Sequence, residues 1–191
     1  MFIKDVDDAL EALIRARLPL PREVGDVLFD APTDTWSAQL SRLTVDLFLY
    51  GVERSTMPNR TQQTRLEDGT GRAQRRAPQP MIELSYLVSA WAGSPADEHQ
   101  LLSDVVSILA GTAVVPEEFL PERLSSSVTL SFGGDPTTRP RDVWQGLGGK
   151  LKACLLLRAT VAADTFDWED QAPAVERISV LSSPEPIRPM P

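Results

Sequence analysis

The chain contains 191 residues, of which 42% are apolar, and it carries a formal net charge of −8 at pH 7. This length suits one domain with a sizeable core and an appended arm rather than two full domains. The acidic charge argues against general nucleic-acid binding, which requires a surface that neutralises phosphates. A single cysteine excludes an intrachain disulfide, and no apolar run reaches the roughly 18 residues of a membrane span. We therefore expect a globular protein that is synthesised in the cytoplasm, binds no nucleic acid and does not span a membrane.

The N-terminal part of the chain predicts an amphipathic helix and a short strand. Residues 2–18 place apolar side chains at helical spacing, Asp5 suits the N-cap position, and Asp7 and Asp8 suit the first turn because carboxylates are favourable there. Pro19 and Pro21 end this helix, since proline lacks a backbone donor. Residues 24–29 are then typical of a short strand that leads into a turn.

Residues 43–52 predict a longer strand. One face of this strand is apolar and carries Leu43, Val45, Leu47 and Leu49. On the opposite face, Phe48 and Tyr50 accompany polar side chains, so that face is also partly apolar. We therefore expect it to be covered by a second layer of the protein or by a partner chain.

Residues 53–79 differ in charge from the rest of the chain. They show no apolar periodicity and have a net charge of +3, because three acidic residues accompany six arginines, which are Arg54, Arg60, Arg65, Arg72, Arg75 and Arg76. The segment predicts a long hairpin loop between two core strands, mobile in the free monomer. It is either a solvated connection or an arm whose arginines bind acidic groups of a partner.

Residues 80–111 predict a strand followed by a helix, and the rest of the chain is arranged around this unit. Apolar side chains alternate along the first half, from Ile82 to Ala90, as in a half-buried strand. In the second half Ser94 suits the N-cap position, and Gly111 ends the helix. The two apolar faces can cover each other.

The next part of the chain predicts two more strands with a short helix between them. Residues 125–132 and 151–161 alternate as strands do, and residues 141–147 form a short helix that ends at two glycines.

An acidic loop, a possible arm and a proline-rich tail complete the chain. The acidic loop covers residues 164–170. Residues 174–182 alternate again, with Ile178 and Val180 on one face. This segment either adds a strand to an adjacent subunit or pairs with its own sheet, since the alternation permits both. The tail that follows contains too many prolines for regular structure.

These elements predict an α+β fold. It consists of a mainly antiparallel sheet of about five strands covered by two main helices, with a long hairpin loop and an extended C-terminal arm. We expect one domain at residues 1–162, followed by the arm and proline-rich tail at residues 163–191.

The sequence contains no pattern that predicts catalysis or metal binding. His99 lies on the first turn of a helix without a nearby nucleophile, and Cys154 alternates with the apolar face of a strand. The glycine pairs match neither a phosphate-binding loop nor a dinucleotide-binding turn, and the acidic loop lacks the spacing of a calcium site. The aromatic residues fit a core better than a ligand cage. We therefore predict that the protein is not an enzyme and binds no cofactor or metal.

Six sequence blocks, which together span most of residues 5–162, resemble one protein family. The blocks are Val6-Asp-Asp-Ala-Leu-Glu-Ala-Leu-Ile14, Leu28-Phe-Asp-Ala-Pro32 with Trp36, Leu43-Thr-Val-Asp-Leu-Phe-Leu-Tyr50, Ile82-Glu-Leu-Ser-Tyr-Leu-Val-Ser-Ala-Trp91, Glu98-His-Gln-Leu-Leu102, and Val143-Trp144 with glycines before Leu151. In this order they resemble the cap, or tail-terminator, proteins of extracellular contractile injection systems. The acidic loop and the proline-rich tail lie outside the resemblance.

The resemblance implies a structural role. A cap protein is a subunit of a hexameric ring that closes the distal end of a contractile sheath and its inner tube, so sheath and inner-tube subunits would be its partners. The particle would be assembled in the cytoplasm and would then stay there or be released. The candidate contact residues are the six arginines named above together with Phe48, Tyr50, Ile178 and Val180. The alternative is a soluble enzyme or ligand-binding module whose polar site is assembled from dispersed residues.

Overall fold

The computed structural model of the protein describes residues 2–67, 72–133, 139–148 and 151–171. Its helices are α1 (Phe2–Arg17), α2 (Asp34–Ser37), α3 (Pro95–Ala110) and α4 (Pro140–Leu147), with a turn of 3-10 helix at Glu117–Phe119. Its strands are β1 (Gly25–Leu28), β2 (Leu43–Arg54), β3 (Gln63–Leu66), β4 (Ala73–Arg76), β5 (Met81–Trp91), β6 (Thr129–Phe132), β7 (Cys154–Ala162) and β8 (Trp168–Asp170). Among these described helices, none has the length and apolar composition needed to cross a membrane.

Five strands form the main sheet, in the order β1-β2-β5-β7-β6. β1 runs parallel to β2, and all other neighbours in this sheet are antiparallel. The connection between β1 and β2, residues 29–42, includes α2 and is long enough for the crossover that a parallel pair requires. The predicted α+β fold with a mainly antiparallel sheet is confirmed.

The main core lies between one face of the main sheet and helices α1 and α3. Leu10 of α1, Val105 of α3, and Leu84 and Val88 of β5 belong to one buried cluster. Each such side chain contributes roughly 1.5–3 kcal/mol through burial, so this cluster is the principal stabilising feature of the fold. Helix α3 begins at the predicted cap, where the Ser94 hydroxyl accepts a hydrogen bond from the backbone N–H three residues later at 3.2 Å.

Helix α4 covers part of the opposite face of the main sheet. Trp144 of this helix is buried together with Leu87 and Leu156, and Phe48 and Tyr50 pack against that cluster. A second layer of the same chain therefore covers part of the face that the sequence predicted to be covered. Phe48 and Tyr50 are half-buried in this layer.

A bulge interrupts the pairing of β2 with β5. Leu49 lies opposite Tyr86, and Gly51 lies opposite Ser85, so Tyr50 is the extra residue of β2. A bulge of this kind bends the strand and increases its twist. The bend lies where β2 leaves the main core and continues toward the hairpin.

The long hairpin loop contains regular structure that the sequence analysis did not predict. Strands β3 and β4 lie within residues 53–79, and β8 lies in the acidic loop. These three strands form a second, antiparallel sheet in the order β3-β4-β8, which we call the small sheet. These strands show no apolar alternation that would predict them, because their side chains are mostly polar on both faces.

The small sheet crosses the expected domain boundary at residue 162. β3 and β4 belong to the expected domain at residues 1–162, whereas β8 belongs to residues 163–191, which we assigned to an arm and tail. The described part of that arm, residues 163–171, is therefore paired with the hairpin.

Strand β2 contains a buried carboxyl group. Asp46 is fully buried, and its Oδ1 atom accepts a hydrogen bond from the backbone N–H of Asp30 at 3.2 Å. Its Oδ2 atom has no partner in the part of the chain that the structure describes. Burial raises the pKa of Asp46 to about 8, because a low-dielectric environment disfavours the charged form. The hydrogen bond from Asp30 opposes this shift only in part.

We predict that Asp46 makes the protein less stable as pH rises from about 4 to about 8. In this window the folded state keeps a proton that the unfolded state, with an ordinary aspartate pKa near 3.9, has released. The free energy of unfolding should fall by up to about 1.4 kcal/mol per pH unit from this group.

The variant Asp46→Asn keeps an acceptor for the Asp30 N–H but cannot ionise. When the pH is raised from 5.5 to 8.0, the melting temperature of the unmodified protein should fall by at least roughly 5 °C more than that of the variant. Thermal unfolding followed by circular dichroism measures both. Parallel pH profiles for the two proteins would contradict the prediction.

Candidate assembly surface

The small sheet joins the basic hairpin to the acidic segment of the same chain. Residues 53–79 carry a net charge of +3, and residues 164–170 contain four acidic residues and no basic ones. Strand β4 lies between β3 and β8 and pairs with both. The arginine-rich segment therefore has acidic partners within its own chain. Whether its arginines also contact a neighbouring subunit stays a prediction.

Three ion pairs connect the hairpin with the acidic segment. They are Arg72 with Asp170 at 3.7 Å, Arg75 with Glu169 at 3.5 Å, and Arg76 with Asp164 at 3.1 Å. In the first two pairs both side chains are more than half exposed, so each pair contributes roughly 0–1 kcal/mol. The third pair differs because the Arg76 side chain is only 10% exposed.

Arg76 binds the turn that leads into β8. Its Nε atom donates to the carbonyl oxygen of Phe166 at 2.6 Å, and its Nη1 atom lies near both Asp164 and the Ser125 hydroxyl. The ring of Trp168 lies 5.8 Å from the guanidinium carbon. A buried guanidinium is costly unless its donors are paired, and here Nε and Nη1 have partners. Arg76 thereby fixes the position of the turn.

Gln79 binds the same turn through its side-chain amide. It is almost fully buried, and its Oε1 atom accepts from the backbone N–H groups of Thr165 at 2.8 Å and Phe166 at 3.3 Å. Its Nε2 atom donates to the carbonyl oxygen of Phe166 at 3.1 Å. Leaving buried groups of this kind unpaired costs roughly 1–3 kcal/mol each. Gln79 and Arg76 together, which we call the clasp, therefore hold the start of β8 against the hairpin.

A row of side chains on one face of the small sheet connects its three strands. The guanidinium carbon of Arg65 lies 4.3 Å from the ring centroid of Trp168. Arg65 also donates to the side chain of Gln74 at 3.1 Å, and Gln74 in turn donates to Asp170 at 3.0 Å. Such stacking contributes roughly 0.5–1 kcal/mol at an exposed site. The row supplements the backbone pairing of these short strands.

The other two arginines of the predicted contact set bind uncharged polar groups. Arg54 is exposed and donates to the side chain of Asn59 at 3.3 Å. Arg60 donates to the carbonyl oxygen of Ser125 at 2.6 Å, and its backbone pairs with Gln79. Arg54 therefore serves as a matched reference for the buried Arg76.

The apolar members of the predicted contact set do not lie in the small sheet. Phe48 and Tyr50 lie on the main sheet beside α4. Ile178 and Val180 lie outside the described residues. The interface role of all four residues stays a prediction.

Gln79 and Trp168 help to hold the small sheet together, although neither lies in a sequence pattern that predicts a function. One signal could have indicated their surroundings, because a segment of net charge +3 and a segment of four acidic residues occur in the same acidic chain. Opposite charge, however, does not identify a buried glutamine as a hydrogen-bonding partner.

In one cleft of the described part of the chain, the two charged side chains bind each other. Glu98, His99 and Lys152 line this cleft, but Lys152 is engaged, since it binds Glu98 at 2.5 Å and lies 3.7 Å from the ring centroid of Trp91. Among the described residues, no group of three or more histidine, cysteine or acidic side chains is placed to hold a metal ion.

We predict that Arg76→Ala destabilises the protein and that Arg54→Ala does not. The first change should lower the free energy of unfolding by about 2 kcal/mol. Breaking a fully buried ion pair costs roughly 3–5 kcal/mol, and the loss is smaller here because Asp164 is partly solvated. The second change should alter the free energy of unfolding by less than about 0.5 kcal/mol, since Arg54 is exposed. Urea unfolding measures both, and equal effects of the two changes would contradict the assignment of the clasp.

Comparison with known proteins identifies related structures. Comparison with curated proteins finds no match. Among solved structures, the sheath/tube terminator of the PVC extracellular contractile injection system, in its extended state, is similar with a TM-score of 0.64 and 22% identity over 97% of this chain. The tube-terminating cap of the anti-feeding prophage is similar with a TM-score of 0.56 and 18% identity over 95% of this chain. The chain spans 64% and 60% of the lengths of these two proteins. At these identities the two matches establish a common fold.

The family assignment comes from a separate comparison with family models. The model described as the Pvc16 N-terminal domain matches residues 5–177, which is most of the chain. The match confirms the resemblance to the cap proteins of contractile injection systems, and the chain belongs to the Pvc16 N-terminal domain family.

Proposed function

We propose that the protein is a structural cap that closes the end of the sheath and inner tube of a phage-tail-like contractile injection system. One observation carries this proposal: the family match and the fold match both extend over nearly the whole chain, and the matched structures are called a sheath/tube terminator and a tube-terminating cap. Because the chain spans about two thirds or less of those proteins, the contacts made by the rest of their length are not assumed for it.

The cap acts as a closed ring of identical subunits, and the resemblance favours six. A ring closes when each subunit presents two different surfaces that bind each other, and closure leaves no subunit interface open. The small sheet and the half-buried aromatic pair Phe48 and Tyr50 are candidates for such surfaces. The exposed arginines Arg54, Arg72 and Arg75 are suited to forked contacts with carboxylates of sheath or tube subunits.

The proposed role is structural rather than catalytic. Nucleophilic catalysis by a thiol requires a base within hydrogen-bonding reach of it. In the described residues, Cys154 instead accepts a hydrogen bond from the Trp144 indole at 3.4 Å, and burial raises the pKa of its thiol. No observation favours the alternative of an enzyme or ligand-binding module.

We predict that the protein is found at one end of each particle. Particles would be purified from a strain that produces them and labelled with an antibody against this chain. Electron microscopy should then detect label at a single end, and deletion of the protein should give particles of variable length, because nothing would stop the sheath and tube from growing. A strain with the gene restored is the control. Label along the whole sheath, or unchanged length after deletion, would contradict the proposal.

We also predict that the C-terminal segment contributes to capping more than to the stability of the subunit. A variant ending at Pro173 keeps β8 and the clasp and removes Ile178 and Val180, so its melting temperature should equal that of the full chain while capping is lost. A second variant, ending at Ala163, also removes β8. Its melting temperature should fall, because Arg76 and Gln79 lose their partners.

Thermal unfolding and particle length measure the two effects separately. A fall in melting temperature in the variant ending at Pro173 would mean that the removed segment pairs with its own sheet. The proposal that it forms an arm would then be wrong.

A further inference from the structure

In the part of the chain that the structure describes, the small sheet has two edges that no further strand covers. The backbone bonds from Glu67 to Arg72 and from Gln171 to Ala73, each 2.8 Å long, fix which residues of β3 and β8 bond toward the central strand β4. Because bonding alternates along an antiparallel pair, the residues between them direct their backbone N–H and C=O groups outward. These residues are Thr64 and Leu66 on β3, and Trp168 and Asp170 on β8. Among the described residues, no backbone hydrogen bond occupies these outward groups.

By contrast, the edge of the main sheet at β6 is partly covered. On the outer side of β6, the carbonyl oxygen of Ala113 accepts from Leu130 at 2.8 Å, and Val115 donates to Val128 at 2.9 Å. Residues 113–115 thereby cover the start of that edge. The small sheet has no such cover in the part of the chain that the structure describes, so its outward backbone groups are available to another strand.

The two open edges carry opposite charge. β3 carries one arginine, Arg65, and no acidic residue, whereas β8 carries Glu169 and Asp170 and no basic residue. Two β3 edges repel each other, and so do two β8 edges, since like charges on adjacent strands are destabilising. A β3 edge next to a β8 edge places opposite charges together. The charges therefore favour pairing of unlike edges.

We propose that β3 of one copy of this chain pairs with β8 of the next copy, so that the small sheets join head to tail around the ring. This inference rests on the proposed cap function and names the surface by which its subunits associate. Pairing of two different edges is a heterologous contact, which produces a closed ring when the rotation between copies closes. Pairing of like edges would produce a two-fold dimer instead.

The register follows from the direction of the strands. β3 and β8 are both antiparallel to β4, so within one copy they run in the same direction. When neighbouring copies are related by rotation about an axis parallel to these strands, β3 of one copy runs parallel to β8 of the next. In a parallel pair, a residue that directs its N–H and C=O toward the partner strand bonds to the two residues on either side of the residue opposite it. Thr64 of one copy then bonds to the outward C=O of Trp168 and the outward N–H of Asp170 in the next. This register places Arg65 opposite Asp170 and Thr64 opposite Glu169.

Disulfide cross-linking tests this register directly. Within one copy, Thr64 and Glu169 both lie opposite Arg75, on either side of β4, so they are two strand spacings or roughly 10 Å apart. Two cysteines at this distance cannot form a disulfide, which requires Cα atoms within about 7 Å. In the proposed pairing, the same two positions in neighbouring copies are adjacent. The variants Thr64→Cys and Glu169→Cys, each in a full-length chain with Cys154→Ser, therefore report only on contacts between copies.

The expected result is a cross-link that forms only between unlike edges. After mild oxidation, a mixture of the two single-cysteine proteins should give a mixed dimer at least about tenfold more abundant than either like dimer, because the like edges repel. The chain that carries both cysteines should give a ladder of products ending at the size of the ring. Dimers formed mainly by Thr64→Cys alone, or by Glu169→Cys alone, would overturn the proposal in favour of two-fold pairing.

A backbone variant supplies the second measurement. Thr64→Pro removes an N–H that points away from β4, so it leaves the pairing within the small sheet intact, while Thr64→Val keeps that N–H. Thr64→Pro should weaken self-association, measured by light scattering, by about tenfold, and Thr64→Val should not.

The result also separates this inference from the cap function. A ring-sized particle by light scattering, with no mixed cross-link, would overturn the edge pairing and leave the cap function standing. A chain that stays monomeric, with no cross-link at any accessible concentration, would overturn the proposal that these edges associate by themselves. The labelling of particle ends would still decide the cap function.

Discussion

The antiparallel pairing of β2 with β5 is the constraint on which the rest of the structure depends. The register of these two strands, with Val45 opposite Ala90 and Leu47 opposite Val88, places their apolar side chains under α1 and α3. The same two strands are joined at their far ends by residues 55–80, which contain the β3-β4 hairpin. The pairing therefore fixes the core and the base of the small sheet at once. A shift of either strand by one residue would turn the apolar face of that strand away from the helices.

The two sheets are held by different forces. The main sheet is stabilised by the burial of aliphatic and aromatic side chains on both faces, around α1 and α3 on one side and Trp144 on the other. The small sheet buries few apolar groups, as Leu66 of β3 remains 70% exposed. Hydrogen bonds from Arg76 and Gln79 and several ion pairs stabilise it instead.

The sequence predicted the parts of the fold that depend on apolar periodicity. The face of β5 from Leu84 to Ala90 and the cap at Ser94 were identified correctly, because alternation and capping are local properties. The β3, β4 and β8 strands were not predicted, because a strand with mostly polar side chains on both faces has the same sequence character as a polar loop. Tyr50 was placed on the correct strand, but the bulge at this residue has no signal in the alternation.

The candidate surface was predicted only in part. The arginines of residues 53–79 were interpreted either as a solvated connection or as an arm that binds acidic groups of a partner, and three of them form ion pairs within the chain. Their role in an interface stays a prediction. Which acidic residues they meet could not be derived, because residues 164–170 are distant in sequence and meet the hairpin through strand pairing, ion pairs and the clasp. A contact between distant segments depends on the whole topology, and no local pattern encodes it.

The exposed, polar character of the small sheet has a consequence for motion. Regions with few buried apolar contacts open locally at a lower free energy than the core, so amide hydrogens of β3 and β8 should exchange with solvent sooner than those of β5. The protein thus combines a stable main sheet with a small sheet that opens more readily. The small sheet can therefore change its tilt while the main sheet keeps its shape.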